Sequence, residues 1–166
     1  MAGNDLFRIM PIRLLGYGFP VGDVFGERYR DMNTRPFYLV GGCYIWAHCF
    51  HRAFRAYTIS DNRFITASLP SHETNAVIAF FDTFIFETLA SYLIPTLTST
   101  CVYWLVDYLQ GPKREGDSRA RWPLPFIFAL FTIIWFSGSV DRGVGHVMND
   151  LIRPLYSARV DVLSSL

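Results

Sequence analysis

Four side chains in apolar surroundings have types and spacings that could do chemistry. His48 and His51 lie three residues apart, which on a helix puts both imidazoles on one face, the geometry of a haem or metal ligand pair within a membrane. The acids that could complete such a site are Asp82 and Glu87. Five residues on a helix set those two about 140° apart, so they converge poorly. The expected reading is a histidine pair at a headgroup boundary beside Arg52 and Arg55, with a haem-binding protein as the distant alternative. A transporter would need ionisable groups on several spans, and residues 122–140 carry none. No glycine-rich phosphate loop, nucleophile elbow or zinc motif occurs. No enzyme, cofactor or metal is expected.

Asp82 and Glu87 still need an explanation. They sit in VIAFFDTFIFETLASYLIP, as apolar as a membrane span. A central Asp costs roughly 2.5–3.5 kcal/mol on insertion, and each Phe, Leu or Ile returns only about 0.3–0.6. Six large apolar neighbours (Phe80, Phe81, Phe84, Ile85, Phe86 and Leu89) therefore offset about one carboxylate. The frame of the span resolves the conflict. Residues 88–106 are uncharged over 19 positions, so the membrane core can begin after Glu87. Glu87 then lies near a headgroup layer, with Asp82 a turn farther out.

Composition agrees with a membrane chain. Of 166 residues, 51% are hydrophobic and 17% charged, against roughly 25% charged in soluble domains. Mean hydropathy is positive, +0.23. The length suits one domain. A formal charge of +1 gives no polyelectrolyte signature, so nucleic acid is not an expected partner. Cys43, Cys49 and Cys101 lack paired or CxxC spacing and read as small core residues.

The elements that must position these residues follow from the apolar runs. The expectation is an all-α membrane helical bundle of about three transmembrane helices, at residues 37–50, 76–106 and 122–140, with amphipathic interfacial helices at both ends, residues 4–19 and 141–153. The N-terminal stretch lacks the continuous apolar run of a secretory signal. Gly41 and Gly42 favour close approach of another helix over lipid contact. The middle helix is expected from about Asn75, capped by Ser71 or Thr74 and bent at Pro95. Unpaired burial of Asp82 would cost several kcal/mol, so a partner is expected for it, with Arg142 and Arg13 as candidates.

Ordered motifs carry a resemblance. LGYGFPVGDVF (residues 15–25), Asp82-Thr83-Phe84, Leu89-Ala90-Ser91, Ile94-Pro95, RWPL (residues 121–124) and the tail set Asp141-Arg142, Val144, Arg153, Leu155-Tyr156 resemble, in order, the mitochondrial fission process protein family. The resemblance implies a small, non-enzymatic, multi-span protein of the inner mitochondrial membrane associated with division and with membrane integrity. Glu87 and His146 depart from the family's pattern and inherit no role from it.

Basic residues number nine in the N-terminal segment and second connection, against six in the first connection and tail. By the positive-inside rule the N-terminus is expected in the matrix. Lys113, Arg114, Arg119 and Arg121, just before Trp122, are expected to contact lipid headgroups such as those of cardiolipin. The partners expected are other inner-membrane proteins, because the apolar surface exceeds what three short helices can cover. Two roles stay open: a structural accessory subunit of a respiratory-chain or ATP synthase assembly, which is the primary expectation, and a regulator of mitochondrial division and inner-membrane integrity acting through transient partners.

Overall fold

The computed structural model describes residues 7, 9, 11–29, 31–61, 72–111 and 124–154, and among them there is no strand. The elements are α1 (Ile12–Leu15), α2 (Gly18–Arg28), α3 (Arg35–Asp61), α4 (His72–Glu87), a π-helical turn (Thr88–Leu93), α5 (Ile94–Leu109), α6 (Leu124–Val147) and a second π-helical turn (Met148–Ile152). The all-helical expectation holds. α4 starts at His72, so Thr74 and Asn75 are inside the helix. Ser71 lies outside the described residues.

Through its π-turn α4 continues into α5, giving one helix with a 36-residue apolar stretch, Thr74–Leu109; α6 and its π-turn give a second of 29 residues, Leu124–Ile152. At 1.5 Å per residue these measure about 54 and 44 Å, each longer than the ~30 Å hydrocarbon core. These two are apolar enough to cross a membrane. The third expected span, residues 37–50, is not shown as one. It lies inside the 27-residue α3, which also carries Arg52, Arg55, His48 and His51.

Burial on the long helices follows a four-residue spacing. Thr83, Glu87, Ser91, Pro95 and Ser99 are buried along the first, and Pro125, Ala129, Ile133 and Ser137 along α6. At 3.6 residues per turn, positions four apart drift about 40° at each step. A turn widened to i+5 hydrogen bonding takes up part of that drift. Each π-turn also ends two residues before a proline, Leu93 before Pro95 and Ile152 before Pro154. A proline ring presses on the carbonyl four residues back, and the wider turn gives that carbonyl room.

Packing pairs set the topology. Phe86, Ala90, Val144 and Met148 form one buried cluster, so the α4 end with its π-turn runs antiparallel to the α6 end, the first π-turn lying against α6. α5 runs back along α6. α2 runs antiparallel to α3, where a Cβ on Gly18 would meet the Phe37 carbonyl at 2.3 Å and the Gly41 nitrogen at 2.7 Å. Gly41 is thus the close-approach point foreseen for it. At the far end of α2, Phe25 meets Phe126 edge to face at 4.8 Å.

Two expectations about the chain ends are corrected. The segment expected as an interfacial helix over 4–19, in its described part, buries one face in the bundle, through Arg13, Gly16, Tyr17 and Gly18, and leaves Ile9, Ile12, Leu14 and Leu15 exposed. Arg13, Tyr17, Pro20 and Val24 are buried at three- and four-residue spacing, with α2 against α3, α5 and α6. Residues 141–153 form no separate interfacial helix either, because α6 runs straight through Asp141 and Arg142. The outward faces of α5 and α6 are apolar, with Leu97, Trp104, Leu105, Ile127, Phe131, Ile134 and Trp135 exposed. Thr98 and Thr132 on these helices return their hydroxyls to the carbonyls of Ile94 and Phe128 at 2.8 and 2.7 Å, the local bond that satisfies a hydroxyl in apolar surroundings.

Candidate functional site: a buried ionic network

One polar cluster joins the N-terminal segment, α3, the end of α4 with its π-turn, and α6. Each contributing element presents a polar pair four residues apart: Arg13 and Tyr17 at the N-terminus, Tyr44 and His48 on α3, Glu87 and Ser91 at the π-turn, Ser137 and Asp141 on α6. Four-residue spacing puts both members of a pair on one helix face. The four faces meet where the first π-turn packs against α6.

Arg13 is the hub. Its Nη1 donates to Glu87 Oε2 at 2.6 Å, to Ser91 Oγ at 2.8 Å and to Tyr44 Oη at 3.2 Å. Its Nη2 donates to Asp141 Oδ1 at 2.5 Å. The side chains of Arg13 and Glu87 are 3% and 0% exposed, and that of Asp141 is 24%. Glu87 Oε1 lies 2.8 Å from His48 Nδ1, and Oε2 also accepts from the Ser91 hydroxyl. The Tyr44 hydroxyl donates to the Phe7 carbonyl at 2.6 Å. The Phe7 ring stacks on the His48 imidazole, centroids 4.8 Å apart and planes 8° apart. The guanidinium carbon of Arg13 lies 5.2 Å from the Tyr17 ring centroid.

The electrostatics follow from burial and charge. Burial works against the Arg13 cation, but the Glu87 carboxylate, with Tyr17, Tyr44 and Asp141, outweighs it and holds the guanidinium above its ordinary pKa. Burial pushes the Tyr17 phenol up, opposed by Arg13. Serine, carboxylate and imidazole are all present, yet their order is not that of an acyl-transfer triad. There the imidazole stands between hydroxyl and acid, whereas here Glu87 stands between Ser91 and His48. The arrangement suits holding four segments together. Removing one partner from such a pair leaves a buried charge and costs about 3–5 kcal/mol.

The residues singled out from sequence fall differently from expectation. Asp82 has an arginine partner, but it is Arg153, through Nε at 3.0 Å and Nη2 at 2.8 Å. Arg13 is committed to Glu87 and Asp141. Arg142, one residue past Asp141, points off that face and bonds the Gly138 carbonyl at 3.1 Å. His48 is fully buried and does not stand at an open headgroup boundary. Glu87 is equally buried, at the centre of the network. No group of three or more metal-ligating side chains occurs among the described residues. Lys113, Arg114, Arg119 and Arg121 lie outside the described residues. The repeated four-residue polar pairs are the sequence signal that identifies this site.

Comparison with known proteins gives relatives in one group. No family model matches the chain, and no solved structure matches it. Mitochondrial fission process protein 1 of Caenorhabditis elegans is 28% identical over 157 residues, covering 93% of this chain and 90% of the relative. The proteins of that name from Homo sapiens and Danio rerio are 27% and 26% identical, covering 93% and 92% of this chain and 90% and 89% of their own lengths.

Proposed function

We propose that the chain is a member of the mitochondrial fission process protein family, which it resembles over about nine-tenths of its length, and that it acts in mitochondrial division as a non-catalytic membrane protein working through transient partner proteins. The observation that carries this reading is the extent of the match, which takes in about nine-tenths of this chain and of each relative. The primary expectation of a structural subunit of a respiratory-chain or ATP synthase assembly is corrected by the same finding, since the relatives are named for fission.

The two long apolar helices support residence in a mitochondrial membrane. We place it in the inner membrane as a multi-pass protein on the resemblance; the basic-residue count that puts the N-terminus in the matrix applies only where residues 37–50 cross as a third span. Anionic lipid at residues 113–121 belongs to the same reading. Partners have a surface to use: Trp46, Phe50, Phe54 and Phe81 are exposed on α3 and α4.

The test is removal of the chain from cells of its own source, followed by imaging of the mitochondrial network. Elongated, fused mitochondria that return to normal length on re-expression support the reading. An unchanged network with loss of one respiratory assembly overturns it. Protease protection in mitoplasts checks the topology: two spans put both termini on one face, and cleavage of one terminus with protection of the other would require residues 37–50 to cross as a third.

A further inference from the structure

We propose that Glu87, Ser91, Tyr44 and Asp141 form a guanidinium receptor within the bundle, and that the chain's own Arg13 occupies it in cis. This inference does not rest on the role in division.

The acceptors come from three different helices. α3 supplies the Tyr44 hydroxyl, the end of α4 and its π-turn supply Glu87 and Ser91, and α6 supplies Asp141. They are divided over the planar fork: Nη1 takes Glu87, Ser91 and Tyr44, and Nη2 takes Asp141. A guanidinium offers donors in a fixed plane and matches two separated carboxylates at once. An ammonium is a compact point charge and serves one such position at a time. His48 steadies Glu87 from the other side through Oε1.

Charge gives the site its consequence. Glu87 and Asp141 stand on different helices and share one cation. With the cation withdrawn, two carboxylates would face the same space without the guanidinium between them, Glu87 keeping only His48 and Ser91 of its neighbours here, and burial of a charge that has lost its counter-ion is strongly unfavourable. Seating of the N-terminal segment and closure of α4 against α6 at this level are therefore coupled through one guanidinium. The ligand class is a guanidinium carried on a polypeptide. An arginine from a partner segment would reach these carboxylates only by displacing Arg13.

The test is chemical rescue of Arg13→Ala in the purified full chain in nanodiscs, read by proteinase K release of the N-terminal segment and by thermal unfolding. Without additive the variant should release the segment about a hundredfold faster than wild type. Millimolar guanidinium or methylguanidinium should restore protection and Tm, whereas methylammonium or urea at matched ionic strength should not. Absence of rescue, or equal rescue by methylammonium or urea, overturns the proposal. If Arg13→Ala fails to fold, Arg13→Met combined with Glu87→Gln removes the buried charge together with its partner. That variant should fold and show no response to guanidinium, and a response equal to that expected of Arg13→Ala would overturn the assignment. Arg13→Lys should protect the segment less than wild type does, and equal protection would remove the requirement for the fork.

Discussion

Arg13 and Glu87 stand 74 positions apart in the chain and 2.6 Å apart in the fold, on side chains with almost no exposure. Glu87→Ala leaves the guanidinium without its principal counter-charge. The expected loss is about 3–5 kcal/mol, measured as a fall in unfolding midpoint in detergent. Glu87→Gln keeps the shape and one acceptor, so its loss should be smaller. A Glu87→Ala chain as stable as wild type would remove the network from the list of forces that hold the bundle.

The Asp82–Arg153 pair should behave more mildly. It has two-point geometry, but the Arg153 side chain is 37% exposed, so solvent screens it. A double-mutant cycle of Asp82→Asn with Arg153→Gln should give a coupling of about 1 kcal/mol. Zero coupling would mean that the two residues contribute separately.

Close packing of α2 on α3 predicts steric sensitivity at a single position. Alanine at Gly18 would place its Cβ 2.3 Å from the Phe37 carbonyl oxygen and 2.7 Å from the Gly41 nitrogen, both backbone atoms that cannot swing aside. Gly18→Ala should cost about 1–3 kcal/mol. Gly138→Ala, with open space around its would-be Cβ, is the control and should be neutral or stabilising. Thermal unfolding of both variants decides the matter.

The outward apolar face of α6 predicts a response that depends on position. Ile134→Arg introduces a charge into an uncharged run and should cost about 2.5–3.5 kcal/mol of insertion. His146→Arg, at an exposed polar position near the end of the same helix, should have little effect. Carbonate extraction of membranes expressing each variant reads the difference, and equal retention would show that the Ile134 face does not meet lipid.

Much of this architecture is legible in sequence, for reasons that can be located. The uncharged runs 88–106 and 122–140 mark the two long helices, because length and apolarity are local properties. Gly41 is readable as a close-contact point, because glycine in an apolar helix has few other uses. Residues 13–24 are harder. Arg8 and Arg13 among leucines and isoleucines suggest an interfacial helix, and only tertiary structure reveals that Arg13 meets Glu87 and Asp141 inside the bundle. The partner of Asp82 is obscure for the same reason, since choosing Arg153 over Arg142 depends on which face α6 and its π-turn present. His48 looks like a boundary histidine until Phe7 and Glu87 are brought to it by other elements. In each of these cases the missing information is long-range.

The two π-turns bear on how the sequence could have changed by insertion and deletion. A π-turn is what an α-helix becomes when one residue is added without disturbing the faces presented on either side. The turns at Thr88–Leu93 and Met148–Ile152 lie between the Asp82–Arg153 pair and, for the first, the Pro95 and Ser99 contacts beyond. Loss of one residue from the first turn alone can be absorbed as plain α-helix there. The same loss outside the turn would rotate Asp82 by about 100° away from Arg153. These helices therefore carry their tolerance for length change at the level of the buried ionic network, where the fold can gain or lose a residue without changing which side chains meet.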